Sequence, residues 1–248
     1  MLHGIGYHGG PYKVVAERLN PRGIDVYALD ARGHGLSCGM RGYLGSSSQV
    51  AADVATMVKY VKHQRKSTRV FLLGDSMGCN YALDYAREHS DQLSGLVLLA
   101  PGFYIDTSQL LRWDSLALMP YFLLGHREPV IDLVNGRLEE STRSRKFAAA
   151  RRADPLAYKK VSFGYLLDIQ RLILGWQWTV AARVRVPILM IKGGKDCVVS
   201  HRECETFARI SASVDMHFKV YPEVRHTTLW DPQTSEILGQ VGKWVRER

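Results

Sequence analysis

Three residues of this chain, Ser76, Asp196 and His226, have the types and the chain order needed to turn a hydroxyl into a nucleophile. A serine hydroxyl attacks poorly until a base takes its proton, and an imidazole serves as that base when a carboxylate fixes its tautomer and steadies its cation. Ser76 has the most telling setting. It is the centre of Gly74-Asp75-Ser76-Met77-Gly78, after the apolar run Val70-Phe71-Leu72-Leu73 and before the helix-competent stretch Cys79-Asn80-Tyr81-Ala82-Leu83-Asp84-Tyr85-Ala86. Strand, sharp turn, serine and helix in that order present the hydroxyl at the strand's end, and the flanking glycines let strand and helix approach where a Cβ would collide. The chemistry such a serine supports is acyl transfer through a covalent acyl-serine.

The acid and the base are expected after later strands, serine first and histidine last. Val186-Pro187-Ile188-Leu189-Met190-Ile191 reads as a buried strand, and Lys192-Gly193-Gly194-Lys195-Asp196 as the turn at its carboxyl end, which makes Asp196 the candidate acid. Residues 216–221 alternate as a short strand, and Pro222-Glu223-Val224-Arg225-His226 is a loop before the last helix, which makes His226 the candidate base. His217 lies inside the strand pattern and His201 at a helix start, so both read as surface or packing histidines, while His3, His8 and His34 fall in Gly-rich loops near the site. Asp231 precedes Pro232 and reads as a helix N-cap. Asp75 is adjacent to the serine, cannot reach behind the histidine, and reads as an electrostatic neighbour. The four cysteines, Cys38, Cys79, Cys197 and Cys204, have neither metal-ligand spacing nor a disulfide framework, which suits a reducing, cytoplasmic setting. Cys197 sits beside the candidate acid, yet Ser76 has the better setting for a nucleophile.

The tetrahedral intermediate needs donors for its oxyanion. Leu2-His3-Gly4-Ile5-Gly6 resembles the His-Gly loop that follows the third strand of α/β-hydrolases, which implies the Ile5 N–H as one donor. The Met77 N–H, directly after the nucleophile and at a helix N-terminus, is the other. Together with Gly23 to Ser37, where Asp30-Ala31-Arg32-Gly33-His34-Gly35-Leu36-Ser37 matches a D-x-R-G-H-G-x-S pattern, these motifs resemble the monoacylglycerol lipase and lysophospholipase branch of the α/β-hydrolases, grouped with serine aminopeptidase-like S33 hydrolases. The resemblance spans nearly the whole chain. Asp75 departs from it, because relatives very often carry histidine there.

The resemblance implies an α/β fold: a mostly parallel sheet flanked by helices, with a helical cap inserted between two parts of the core. The expected bounds are 1–102 and 183–248 for the core and 103–182 for the cap. Within the cap, residues 110–124 are rich in Leu, Trp, Met and Tyr, residues 137–152 are basic, and residues 158–178 are helical in pattern. Trp113, Met119, Phe122 and Leu123 are the expected substrate-channel residues. Met1-Leu2 stands directly before the His-Gly loop, so the amino-terminal strands of the family are missing. In the family the strand feeding that loop lies between the strand ending at Asp30 and the strand ending at Leu73. A vacant slot is expected there, with unpaired backbone groups costing about 1 to 3 kcal/mol each. The chain is then a truncated form of a longer protein, or another segment or a partner chain fills the gap.

At 248 residues, 46% hydrophobic and 23% charged, the chain can bury a full enzyme core. No apolar run approaches the roughly 18 residues of a membrane span. The net charge of +9 prompts a search for polyanions, yet no nucleic-acid-binding module is present, and nucleic acid is not an expected partner. The basic cap suits transient contact with an anionic lipid surface, and a homo-oligomer is compatible with the sequence. The reading is a carboxylic ester hydrolase acting on a monoacylglycerol or similar single-chain lipid ester, needing no cofactor. Aminopeptidase or thioesterase chemistry on the same scaffold is the alternative, as is a non-catalytic ligand-binding homologue. An aminopeptidase would call for an acidic cluster in the cap, and this cap is basic.

Overall fold

The computed structural model describes residues 1–43, 45–66, 69–103, 129–132, 138–174 and 177–248. Its centre is a parallel sheet of β1 (Phe71–Asp75), β2 (Gly95–Leu99), β5 (Ile188–Gly193) and β6 (Met216–Tyr221), hydrogen-bonded in that order. β2 and β5 are buried at every position, as their unbroken apolar sequences require of strands covered on both faces. One face packs on α2 (Ser47–Arg65), α3 (Met77–His89) and α8 (His201–Ile210), and the other on α1 (Lys13–Leu19) and α9 (Thr234–Arg246). Side-chain alternation divides β5 accordingly: Ile188 and Met190 enter the first cluster, Leu189 and Ile191 the second. This is the expected α/β-hydrolase architecture, with every strand of the main sheet ending on the side where Ser76 and Asp196 emerge.

Between β2 and β5 the described residues hold helices α4 (Leu138–Ser141), α5 (Arg145–Ala153), α6 (Phe163–Leu174) and α7 (Gln177–Ala181). They also hold an antiparallel pair, β3 (Pro129–Asp132) with β4 (Lys160–Ser162), which helical periodicity did not foretell. Such a pair is set by long-range partnering, which a mainly helical hydrophobic pattern conceals. No helix among the described residues is long and apolar enough to cross a membrane.

The expected vacant slot is partly occupied. Leu2 forms parallel bridges to both Leu29 and Gly74, with its N–H donating to the Leu73 carbonyl at 2.8 Å and its carbonyl accepting from Asp75 N–H at 3.0 Å. Met1 carries the same pairing one residue back: its α-amine donates to the Tyr27 carbonyl at 2.8 Å and its carbonyl accepts from Leu29 N–H at 3.1 Å. Residues 26–29 do not pair directly with residues 70–73. Below Met1 the slot continues as a cavity of about 320 Å³ lined by Ile24, Val26, Tyr27, Val70 and Leu72 among others. The segment expected as a strand up to Asp30 therefore has a single bridge residue, Leu29, because only two residues lie alongside it. Two residues suffice to hold the entry of the His-Gly loop between its neighbours.

Candidate active site

Ser76 has φ 52° and ψ −111°, a conformation that costs a non-glycine residue of order 1–3 kcal/mol and persists where the surroundings over-determine it. The surroundings here are explicit. Ser76 N–H donates to the Leu99 carbonyl of β2 at 2.8 Å, and Gly102 N–H donates to the Ser76 carbonyl at 3.2 Å. A Cβ on Gly74 would stand 2.5 Å from Cys79 N, and one on Gly78 would stand 2.1 Å from the Leu2 carbonyl oxygen. Both neighbours are backbone, so the glycines are demanded by the strand-to-helix turn and by the chain's first residues pressing on α3. Met77 is the first residue of α3, so its N–H has no intrahelical partner and points out of the positive end of the helix.

The loop after β6 brings His226 to this hydroxyl, with Ser76 Oγ 3.0 Å from His226 Nε2. On the far side of the ring, Nδ1 is 2.9 Å from Asp196 Oδ2, which fixes the tautomer that leaves Nε2 free to accept. Asp196 is held in turn by two backbone donors, Val198 N–H at 2.8 Å and Val199 N–H at 3.1 Å, both to Oδ1. Three residues 120 and 30 positions apart in sequence thus form one hydrogen-bonded line. Burial presses the Asp196 pKa up, but the charge and hydrogen bond of His226, the nearby Lys192 and the Val198 N–H outweigh it and hold the carboxyl below its ordinary range. Burial likewise presses His226 down, yet Asp196 and then Asp75 outweigh it, so the imidazole is a stronger base than a free histidine.

The His-Gly loop is fastened to the elbow by Tyr12, which no local sequence pattern marks. Gly4 N–H donates to the Tyr12 oxygen at 3.0 Å, and the Tyr12 O–H donates to Asp75 Oδ2 at 2.6 Å. His3 Nε2 accepts from Ala31 N–H at 3.0 Å, so its proton is on Nδ1, and burial lowers its pKa to about 4. Burial raises the Asp75 pKa to about 6 against the opposing Tyr12 hydrogen bond. Asp75 is therefore bound to the loop and not to the histidine, as its position beside the serine requires. Ile5, Asp75, Ser76 and His226 all line one cavity of about 100 Å³, closed by Tyr7, Leu138 and Trp230 among others. Ile5 and Met77, the two expected oxyanion donors, thus flank the serine, one on the tethered loop and one at the start of α3.

The segment between β2 and β5 clamps the histidine loop. Thr227 N–H donates to the Ser141 carbonyl at 3.0 Å, and Arg225 Nη1 donates to the carbonyls of Glu139 at 2.8 Å and Thr142 at 3.1 Å. Asp231, expected as a helix N-cap, has extended backbone and its Oδ1 accepts from Gln233 N–H at 3.0 Å just ahead of α9, and its two oxygens also take a two-pronged hydrogen bond from Arg143 at 2.8 and 2.6 Å. Its carboxylate is buried, and the ion pair and the backbone N–H together satisfy it. The basic stretch is correspondingly engaged: Arg143 with Asp231, Arg152 with Glu139, and Arg151 buried over the Tyr7 ring at 4.0 Å. His8 and His34 are likewise fastenings, to Asp154 at 2.8 Å and to the Tyr158 hydroxyl. The expected channel residues Trp113, Met119, Phe122 and Leu123 lie outside the described residues.

With this geometry in place, the known proteins that resemble the chain can be set beside it. The family model described as Hydrolase_4, serine aminopeptidase S33, matches residues 1–233. The chain belongs to this α/β-hydrolase family. It is 29% identical over 249 residues to a monoacylglycerol lipase of Mycolicibacterium smegmatis, covering 99% of this chain and 86% of that protein. A monoglyceride lipase of Rattus norvegicus is 28% identical over 258 residues, covering 99% of this chain and 81% of the relative. Among solved structures, a soluble variant of Saccharomyces cerevisiae monoglyceride lipase in complex with a substrate analog superposes with TM-score 0.85 at 20% identity, covering 99% of this chain and 84% of the other. A monoacylglycerol lipase of Paleococcus ferrophilus gives TM-score 0.81 at 21% identity, covering 99% and 92%.

Proposed function

We propose that the protein is a serine hydrolase that cleaves monoacylglycerols or similar single-chain lipid esters. The observation that carries this reading is the unbroken line from Ser76 Oγ through His226 to Asp196, with contacts of 3.0 and 2.9 Å. In this mechanism Ser76 Oγ attacks the ester carbonyl as its proton passes to His226 Nε2. The oxyanion is met by the N–H groups of Ile5 and Met77, and Asp196 steadies the imidazolium. His226 then returns the proton to the leaving alcohol oxygen, the C–O bond breaks, and an acyl-Ser76 ester remains. A water molecule, deprotonated by His226, attacks the acyl carbon and releases the carboxylic acid and the free serine.

The lipid substrate is supported by the named activities of the relatives and by the apolar, aromatic wall that Leu138, Tyr7 and Trp230 give the cavity beside Ser76. An aminopeptidase reading would need carboxylates placed to hold an amine. Asp75 is the acid among the described lining residues, and it is bonded to Tyr12. The test is labelling by a fluorophosphonate probe, followed by hydrolysis of p-nitrophenyl esters graded by acyl length and of a monoacylglycerol. Loss of labelling in Ser76→Ala with a rate rising toward longer acyl chains is the expected result. Labelling without hydrolysis of any long-chain ester would remove the lipid assignment and keep the nucleophile.

A further inference from the structure

Lys192 is a lysine where the fold calls for a hydrophobic residue. It lies in β5, fully buried at 1% exposure, and continues the inward series Ile188, Met190, Lys192 on the face packed against α3 and α8. Its ammonium donates to the Gly193 carbonyl at 3.1 Å and stands 3.9 Å from Asp196 Oδ2. An ammonium that far from water is expensive unless opposed by charge, and the opposing charge is the acid of the Ser76–His226–Asp196 line. The arrangement is a row of charges: Lys192, Asp196 and the His226 ring. Among the described residues the other titratable groups facing the row are Asp75 at the end of β1, itself bonded to Tyr12, and Cys204 on α8, whose thiol is pushed up to about 12 by burial and stays neutral.

We propose that Lys192 is a positioning residue of the reaction: its buried charge keeps Asp196 ionised and prevents the Asp196–His226 pair from retaining a proton when His226 must be free to take one from Ser76. Two carboxylates, Asp196 and Asp75, raise the basicity of His226, and Lys192 is the cation that opposes them. Without it the imidazole would still be aligned but would stay protonated to higher pH, and a protonated imidazole cannot accept the serine proton. The inference rests on the function proposed above for those three residues. A purely structural lysine would leave the pH at which His226 titrates unchanged when replaced.

The experiment compares the unaltered chain with Lys192→Met, Lys192→Gln and Lys192→Arg. It measures the pH of half-maximal fluorophosphonate labelling and, by NMR of the imidazole, the titration of His226. Both quantities are midpoints and do not depend on how much of a variant folds. The expected result is an upward shift of about one pH unit in the Met and Gln variants, which is about tenfold slower labelling well below the midpoint, and return to the original midpoint in the Arg variant. Unchanged midpoints, downward shifts, or an equal shift in the charge-retaining Arg variant would overturn the role of the charge. If the unaltered chain is not labelled, the proposed function fails, while the His226 titration still decides the effect of Lys192.

Discussion

The amino terminus offers the sharpest test of how the sheet is built. The Met1 α-amine is half-buried at the head of the slot between residues 24–29 and 70–73, donating to the Tyr27 carbonyl as a strand N–H would. Burial lowers its pKa from 8.0 to about 5. Between those values the unfolded chain holds a proton that the folded chain has given up, so stability falls as pH drops from 8 toward 5 and levels off below. Three units at 1.36 kcal/mol each set a ceiling of about 4 kcal/mol, which water reaching the half-buried amine lowers, against the roughly 5–15 kcal/mol of a typical domain. Other groups titrate in the same range. His3 and His34, lowered by burial to about 4 and about 3, also cost stability below 6.5. Asp75, raised by burial to about 6, and His226, raised by its carboxylates, act in the opposite sense. Nα-acetylation isolates the amine, because every other group is common to both forms and the cavity beyond Met1 has room for the acetyl group. Urea unfolding from pH 8 to pH 5 should show the acetylated chain gaining on the free chain across that interval, by up to about 4 kcal/mol. A difference that does not change with pH would mean that the amine stays hydrated in the folded protein and would refute its desolvation in the slot.

Tyr12→Phe removes the donor to Asp75 and the acceptor of Gly4 N–H, so it should cost about 1–3 kcal/mol in urea unfolding and slow fluorophosphonate labelling about tenfold by loosening the loop that carries Ile5. A labelling rate equal to the unaltered chain would show that the tether does not govern the loop. Asp75→Asn removes one of the two carboxylates that raise His226, and the acid limb of the pH–rate profile should move to lower pH, opposite to Lys192→Met. A shift upward would contradict the electrostatic assignment. Gly78→Ala directs a methyl into the Leu2 carbonyl, and the variant should lose at least about 1–3 kcal/mol or fail to accumulate folded, read by thermal melting; a native-like melt would show that the first residues yield easily.

Much of the site was legible because its signals are local. Ser76 is announced by apolar strand, paired glycines and helix within seventeen residues, 70 to 86. Asp196 and His226 each stand in the short loop leaving a β-strand pattern. Strand periodicity and turn chemistry are properties of neighbours in sequence, so they survive without a structure. Lys192 reads in sequence as the first residue of the turn after the strand pattern of residues 186–191; the structure carries β5 through Gly193 and buries Lys192 beside Asp196, a placement that no local pattern announces. Tyr12 likewise has no pattern to announce it: its partners are Gly4 and Asp75, and only the approach of loop to elbow unites them. The same holds for Arg143 and Asp231, 88 positions apart, and for the β3–β4 pair hidden in a helical stretch.

The sequence by itself determined the candidate nucleophile, acid and base, their order and the glycines of the turn, because steric demands at Gly74 and Gly78 and the alternation of buried strands act over a few residues. The tertiary structure decided which charges face one another: that Asp75 serves Tyr12, that Lys192 backs Asp196, that the basic stretch is engaged with Asp231, Glu139 and an aromatic ring, and that Met1 and Leu2 hold the slot. Charge interactions act through space and depend on burial, and burial is fixed only when distant segments have packed.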